Sequence, residues 1–283
     1  MSNLRCDSPP DCPGSELFDC DYVFSDVVVL PAREGGTLVQ WMLHPQVRDF
    51  GEYRYILQTS NAGVNDRHAW KSVAMGSDVY FLEDKKRRLP GAFAYTHYRV
   101  RLQTDERVYH SVPLHTLGKL SYEDACIYRR IMQTEYLQLA QKTGVPGLIY
   151  KRKISGIPCR RCLDHNNDVA RDAGCLECFG TGWRGGYYKP VPCSFINLEP
   201  GDASIRYDLE TQGPITNTRF SGRAIASPLL ITGDVWLNLQ NSERYRIILV
   251  QPIVEQKGIP IVYQLAVERL PFADVTYRLP REA

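Results

Sequence analysis

The segment that most constrains this chain is CRRCLDHNNDVARDAGCLEC, which runs from Cys159 to Cys178. It contains two C-x-x-C pairs separated by twelve residues. A C-x-x-C turn brings two sulfurs close together, and a second such turn after a loop of about a dozen residues completes a tetrahedral cage that suits zinc. The spacing therefore predicts a structural zinc site with these ligands: Cys159, Cys162, Cys175 and Cys178.

Other uses of these thiols remain open at this stage. One or two disulfides, or four reduced thiols, fit the same spacing, and His165 is an alternative ligand. A thioredoxin-like redox role is disfavoured because no βαβ pattern surrounds either pair. The first residues, MSNLRCDSPPDCPGSELFDCD, lack the apolar run of a signal peptide, which predicts synthesis in a reducing cytosol and favours a metal over disulfides.

Length and charge exclude some classes of protein. The chain has 283 residues and a formal net charge of +2. It is long enough for several domains. A protein whose main partner is nucleic acid usually has a large basic excess, so we do not expect nucleic acid in that role. The most apolar stretches are only as long as a β-strand, so we predict no membrane partner.

The N-terminal part of the chain has two sections. Residues 1–20 are rich in Pro, Ser, Asp and Gly, which predicts an irregular arm, and they contain Cys6, Cys12 and Cys20. Residues 21–118 contain seven short apolar or alternating runs separated by turn residues. This pattern predicts an antiparallel β-sandwich.

Aromatic positions within residues 21–118 resemble the fibronectin type III family. Trp41, Tyr53 and Tyr55, Trp70 and the run Tyr98-Arg99-Val100-Arg101 follow the order of that family's core strands. The resemblance implies a fold used for display, adhesion or spacing.

A single helix is predicted in residues 119–145. Ser121 is a candidate N-cap with Asp124 three residues later, and Gly144 with Pro146 ends the pattern. Apolar residues recur at spacings of three and four between these limits: Ala125, Tyr128, Met132, Tyr136 and Leu139.

The remaining sequence predicts a knuckle and a second β domain. Residues 146–192 contain the four cysteines and are predicted to form the knuckle, a small zinc-binding fold. Residues 193–283 contain strand patterns with turns at Gly233-Asp234, Asn241-Ser242 and QKG, which predict a small antiparallel β-barrel or sandwich ending near Pro271. The expected fold is therefore mainly β and multidomain.

No catalytic motif is present in the sequence. It has no G-x-S-x-G, phosphate-binding glycine loop, H-E-x-x-H or dinucleotide fingerprint. A closed four-thiolate site has no open position for activating water. We therefore expect that the protein is not an enzyme and that the metal stabilises the fold of a segment poor in apolar residues.

The second cysteine pair continues as CLECFGTG and resembles the knuckle of DnaJ-type zinc modules. Cys175, Cys178, Gly180 and Gly182 carry the resemblance. The first pair departs from that pattern, because CRRC is followed by LDHN. The resemblance implies the metal geometry alone.

Two longer passages resemble virion structural proteins of tailed bacteriophages. The first is YRRIMQTEYLQLAQKTGVPGLIYKRKISGIPCRRC, from Tyr128 to Cys162, and the second runs from Gly233 to Pro271. The resemblance implies a non-enzymatic adaptor of the neck or head-to-tail region, assembled as a symmetric ring beside portal-proximal or tail proteins. The implied location is the virion, after synthesis in the host cytoplasm.

Two alternative functions and one modification follow from the same sequence. A zinc-ribbon nucleic-acid binder would use Arg160, Arg161, Arg171 and Lys151–Lys153 as phosphate contacts. A tail, baseplate or surface adhesion component would use the β-sandwich. The arm thiols of Cys6, Cys12 and Cys20 either stay reduced or, in a ring that leaves the reducing cytosol, at least one of them forms a disulfide, between chains rather than within one.

Overall fold

The structure is a computed structural model. It describes residues 23–32, 36–44, 53–62, 64, 67–86, 96–105, 107–115, 117–164, 169–197, 206–208, 213–215 and 219–281. Over these ranges the protein is mainly β, with antiparallel sheets and one α-helix, as predicted. The chain forms two compact units, Met1–Ser121 and Tyr122–Ala283. The predicted arm, residues 1–20, lies outside the described residues.

The N-terminal unit is built from short antiparallel strands that follow the alternating runs of the sequence. They are β1 (Phe24–Pro31), β2 (Thr37–Leu43), β3 (Tyr53–Ser60), β4 (Lys71–Gly76), β5 (Phe81–Asp84), β6 (His97–Thr104), β7 (Val108–His110) and β8 (Leu114–His115). The last predicted strand is thus divided into β7 and β8. The residues just before β4, Arg67–Ala69, form a 3₁₀ turn.

These strands form two sheets that share one hydrophobic core. The first sheet has the order β1-β2-β5 and the second the order β4-β3-β6-β7, with β8 also paired to β6. Trp41 of β2 is 3 % exposed, and its ring centroid lies 4.8 Å from that of Tyr55 of β3. Because strand side chains alternate between faces, Val100 of β6 enters the same core while its neighbours face outward.

The C-terminal unit contains the helix, the cysteine segment and a larger sheet. The helix is α1 (Tyr122–Leu137). The strands are β9 (Gly147–Tyr150), β10 (Leu163–Asp164), β11 (Val169–Ala170), β12 (Val191–Pro192), β13 (Ile196–Asn197), β14 (Arg206–Asp208), β15 (Gly213–Ile215), β16 (Arg219–Ile225), β17 (Val235–Asn238), β18 (Arg244–Gln256) and β19 (Ile259–Arg269). The predicted bend at QKG is the β18–β19 turn, where Lys257 and Gly258 both have positive φ.

The seven-stranded sheet has its two end strands in one segment of chain. Its order is β12-β9-β17-β18-β19-β16-β13. Between β12 and β13, Phe195 exchanges backbone hydrogen bonds with Val145 at 2.6 and 3.0 Å. Gly222 of β16 is needed beside this segment, because a β-carbon there would overlap the Phe195 ring. The first and last strands of the sheet, β12 and β13, therefore follow each other directly along the chain.

The predicted helix is confirmed, but its last part has a different geometry. Ala125, Tyr128 and Met132 are buried on the face of α1 that packs against β16 and β19. The Tyr128 hydroxyl donates to the Pro260 carbonyl oxygen at 3.3 Å. Beyond Leu137 the chain continues as a π-helical turn, Gln138–Thr143, which keeps Leu139 buried.

A C-terminal segment that the sequence did not predict packs against the sheet. A 3₁₀ turn, Val275–Arg278, begins after Asp274, whose carboxylate accepts from the Thr276 N–H at 2.9 Å. The Arg244 side chain, 1 % exposed, donates to the carbonyl oxygens of Thr276 and Leu279. The ordered structure therefore continues beyond Pro271, where the sequence predicted its end.

Candidate metal centre

The four cysteines lie at the end of a two-stranded ribbon. Segments 151–159 and 182–188 run antiparallel and are joined by backbone hydrogen bonds, including Tyr188 N–H to Lys151 O at 2.9 Å and Arg184 N–H to Ile157 O at 2.8 Å. The last of these bonds joins Cys159 N–H to Gly182 O at 2.8 Å. The ribbon thus brings together the beginning and the end of the cysteine segment.

Each C-x-x-C pair is a tight turn. The Cys159 carbonyl accepts from the Leu163 N–H at 3.1 Å, and the Cys175 carbonyl accepts from the Phe179 N–H at 2.8 Å. A short hairpin, β10–β11, joins the two turns. The N–H of Arg171, which follows β11, donates to the Cys162 carbonyl at 2.7 Å.

The geometry of the second turn explains why CFGTG has glycine at two positions. Gly180 and Gly182 have φ values of 75° and 86°, a region that favours glycine. A β-carbon on Gly182 would lie 2.8 Å from Leu163 Cδ1. The turn therefore folds closely against the hairpin only if this position is glycine. The first pair lacks such glycines and continues directly into β10.

The structure brings all four predicted ligands together. The Sγ atoms of the cluster lie within 4.8 Å of one another. Cys159 Sγ is 3.3 Å from Cys162 Sγ and 3.9 Å from Cys175 Sγ. Cys162 Sγ is 3.4 Å from Cys178 Sγ. All four residues are buried, and their sulfurs form a cluster able to hold one metal ion.

The electrostatics of the cluster favour a cation. Four thiols this close together cannot all ionise unless a positive charge balances them. Burial raises the pKa of Cys162, and hydrogen bonds with the other cysteines raise it further. The hydrogen bond from the Cys162 thiol lowers the pKa of Cys175 to about 7. Burial raises the pKa of Cys178, while the backbone N–H groups of Gly182 and Gly180 lower it.

Basic side chains surround the cluster, but several already have partners. Arg160 and Arg161, between the first two cysteines, are exposed. Arg171 pairs with Asp164 at 3.3 Å, and Arg184 pairs with Glu177 at 3.7 Å. Four thiolates around a divalent ion would carry a net charge of about −2, which these arginines would help to balance.

The prediction that Lys151 and Lys153 contact phosphate is wrong. They are 3 % and 8 % exposed, because both side chains turn into the protein. The Lys151 ammonium donates to the Leu229 carbonyl at 2.8 Å and pairs with Asp234 at 3.3 Å. The Lys153 ammonium lies 3.4 Å from the Arg184 carbonyl oxygen. Neither lysine is available to a nucleic acid.

One polar neighbour of the cluster was not found from sequence. Glu177 lies inside the second pair, and its carboxylate is 3.8 Å from Cys159 Sγ. The only sequence signal was its position between two ligands. His165 and the arm residues Cys6, Cys12 and Cys20 lie outside the described residues.

The other described cysteines have different environments. Cys126 is exposed on α1, whereas Cys193 is buried in the core of the large sheet. Burial raises the pKa of Cys193 to about 12. Over the described ranges, the four-cysteine set is the only group of His, Cys, Asp or Glu residues close enough to hold a metal.

No helix among the described residues is long and apolar enough to cross a membrane. Comparison with known proteins finds no family model and no curated protein that matches this sequence.

Proposed function

We propose that this protein is a non-enzymatic structural component of a tailed-bacteriophage particle, an adaptor of the neck or head-to-tail region that assembles as a symmetric ring. The two passages that resemble virion proteins motivate the virion role. The observation that carries the non-enzymatic part is the closed cluster of four cysteines. It offers four sulfur ligands, which fill a tetrahedral site and leave no position for substrate or water.

Zinc is the ion we propose for this cluster. With Zn–S bonds of about 2.3 Å, the edges of a tetrahedron of sulfurs are about 3.8 Å long. The distances between Sγ atoms, 3.3, 3.4 and 3.9 Å, are close to that value. A disulfide requires about 2.05 Å, so these sulfurs are too far apart to be bonded.

The two β units supply rigid parts for such an adaptor. We propose that the N-terminal unit is a fibronectin type III-like sandwich. Its chain places β1 and β2 in the first sheet, β3 and β4 in the second, β5 in the first again, and β6 and β7 in the second. We propose that the large sheet of the second unit is a small barrel. The support for this is that β12 and β13, its two end strands, belong to one segment.

The zinc centre connects to this sheet through its ribbon. Lys151, which follows β9, and Asp234, which precedes β17, form a buried ion pair at the base of the ribbon. Asp234 also accepts from the backbone N–H groups of Arg152 and Ile231, each at 2.8 Å. This ion pair therefore fastens the base of the ribbon to the sheet.

The experiment that tests the virion role is structural analysis of purified particles by cryo-electron microscopy, with mass spectrometry of their proteins. We expect the chain in a closed ring beside portal-proximal or tail proteins. Its absence from particles washed free of host protein would contradict the proposal.

The arm thiols are tested on the same particles. At least one of Cys6, Cys12 and Cys20 is proposed to form a disulfide between subunits once the particle leaves the cytosol. Non-reducing gel electrophoresis should then show oligomers that collapse to monomer with reductant. A monomer without reductant, with all three thiols free, would rule out this link.

A further inference from the structure

The outer face of β6 carries a group of nitrogen-rich side chains. Every second residue of this strand enters the core, so His97, Arg99 and Arg101 lie together on the opposite face. The strand register places Gln58 of β3 beside Arg99, and His110 of β7 beside Arg101. Two guanidinium groups and two imidazoles thus lie on one sheet surface.

Arg99 is held in a fixed position within this group. The residue is 8 % exposed, and its Nε–H donates to the Gln58 amide oxygen at 2.9 Å. Its guanidinium carbon lies 4.2 Å from the ring centroid of Trp70, the residue directly before β4. The stacking and the hydrogen bond orient the planar group before any ligand arrives.

The same cluster contains buried nitrogen atoms without hydrogen-bond partners in the protein. They are Trp70 Nε1, Arg101 Nε and His97 Nδ1. Two of them, the indole and the guanidinium nitrogens, can only donate. A buried donor without an acceptor costs about 1–3 kcal/mol. Such donors on or beside the outer face of one strand indicate a missing acceptor.

No carboxylate balances these cations. None of the ion pairs found among the described residues includes any of these four side chains. Burial and then the charge of Arg101 lower the pKa of Arg99 to about 10. Burial, followed by the charges of Arg99 and Arg101, lowers the pKa of His110 to about 4. The positive charges therefore act on one another without compensation.

We propose that this surface is an oxyanion-binding site, in which Arg99, Arg101 and the Trp70 indole N–H bind the carboxylate, phosphate or sulfate group of an acidic ligand. Arginine binds such groups with two parallel N–H donors. Successive residues on one face of a strand lie about 6.6 Å apart, which lets one oxyanion lie between the two guanidiniums. His97, Arg101 and His110 are only partly buried, so solvent reaches the site.

The test measures binding of simple anions to the full chain. Inorganic phosphate, inorganic sulfate and acetate are titrated by calorimetry and thermal melting against chloride at equal ionic strength. We expect at least one of the three to raise the melting temperature in a saturable manner. Comparing the three titrations identifies which oxyanion the site prefers.

Two variants assign the effect to this cluster. Arg101→Gln should weaken binding at least tenfold, while Arg107→Gln, the same change at an exposed loop residue, should leave it unchanged. Trp70→Phe keeps an aromatic ring for Arg99 but removes the indole donor, and should weaken binding severalfold.

A spectroscopic measurement separates binding from a change in stability. An anion on Arg99 and Arg101 cancels charges that lower the pKa of His110, so NMR titration should show that pKa rising with bound anion. If none of the anions binds more tightly than chloride, or if Arg101→Gln binds as well as the original protein, the proposal is wrong.

Discussion

The Lys151 ammonium lies 3.3 Å from the Asp234 carboxylate, and their side chains are 4 % and 0 % exposed. The two residues are 83 positions apart in the chain. Because Asp234 also accepts hydrogen bonds from two backbone N–H groups, the pair fastens the ribbon of the knuckle to the large sheet.

Replacing one partner of this ion pair should lower the stability of the protein. Lys151→Met leaves a buried aspartate without its counter-charge, and we expect a loss of about 3–5 kcal/mol in the free energy of unfolding at pH 7. Urea denaturation measures it. Lys189→Met, the same change at an exposed position, should cost less than about 0.5 kcal/mol.

The pH dependence of that loss distinguishes a charge effect from a packing effect. Burial already raises the pKa of Asp234, and removing Lys151 raises it further. The penalty in Lys151→Met is complete above this raised pKa. It is relieved as the pH falls below that pKa toward the ordinary value of an aspartate, since the buried carboxylate then takes up a proton. A loss that is the same at pH 7 and pH 5 would contradict the charge argument.

Truncating a side chain in the core of the N-terminal unit should also cause a large loss of stability. Trp41 is 3 % exposed and packs on Tyr55. Trp41→Ala should therefore cost about 3–5 kcal/mol, the usual range for truncating a core aromatic residue. Met75→Ala is the control, because Met75 is 63 % exposed on β4. Equal melting temperatures for both variants would show that Trp41 is not a core residue.

The reactivity of the described cysteines outside the metal centre should differ sharply. Cys126 is exposed, whereas Cys193 is buried and its pKa is raised to about 12. We expect iodoacetamide at pH 8 to alkylate Cys126 in the native protein and to leave Cys193 unmodified until urea is added. Mass spectrometry of peptides gives the result, and alkylation of Cys193 in the folded protein would contradict the structure.

Local patterns in the sequence predicted much of the fold. Alternating runs such as YRYILQTS became strands because one face of each enters a core. The apolar spacing of α1 likewise matched its buried face. The C-x-x-C spacing predicted the sulfur cluster because each turn depends on only four consecutive residues.

Features that depend on distant residues were not predictable in this way. Residues 191–197 are too short and irregular to show a period, yet they carry both end strands of the large sheet. The KRK run, Lys151–Lys153, was a candidate set of phosphate contacts, because Asp234, the buried partner of Lys151, is remote in sequence. The C-terminal segment is held by the buried Arg244, whose acceptors are backbone carbonyls without a sequence signature.

Metal affinity should fall in acid. Metal binding requires thiolates, and the pKa of Cys175 is lowered only to about 7 while burial raises that of Cys162. Protons therefore already compete with the metal for Cys162 at neutral pH, and they also compete for Cys175 as the pH falls below about 7. Competition with a chromophoric chelator at pH 8, 7 and 6 should show at least a tenfold loss of apparent affinity per pH unit at the acidic end. Affinity that does not change with pH would contradict ligation by thiolates.

The central claim is that Cys159, Cys162, Cys175 and Cys178 hold one structural zinc ion. The most direct measurement is elemental analysis of gently purified protein, combined with a count of reactive thiols. The account predicts one zinc per chain, loss of zinc in Cys175→Ser with unfolding of the knuckle, and full zinc in Cys126→Ser. Less than half an equivalent of zinc, with all four thiols free, would contradict it.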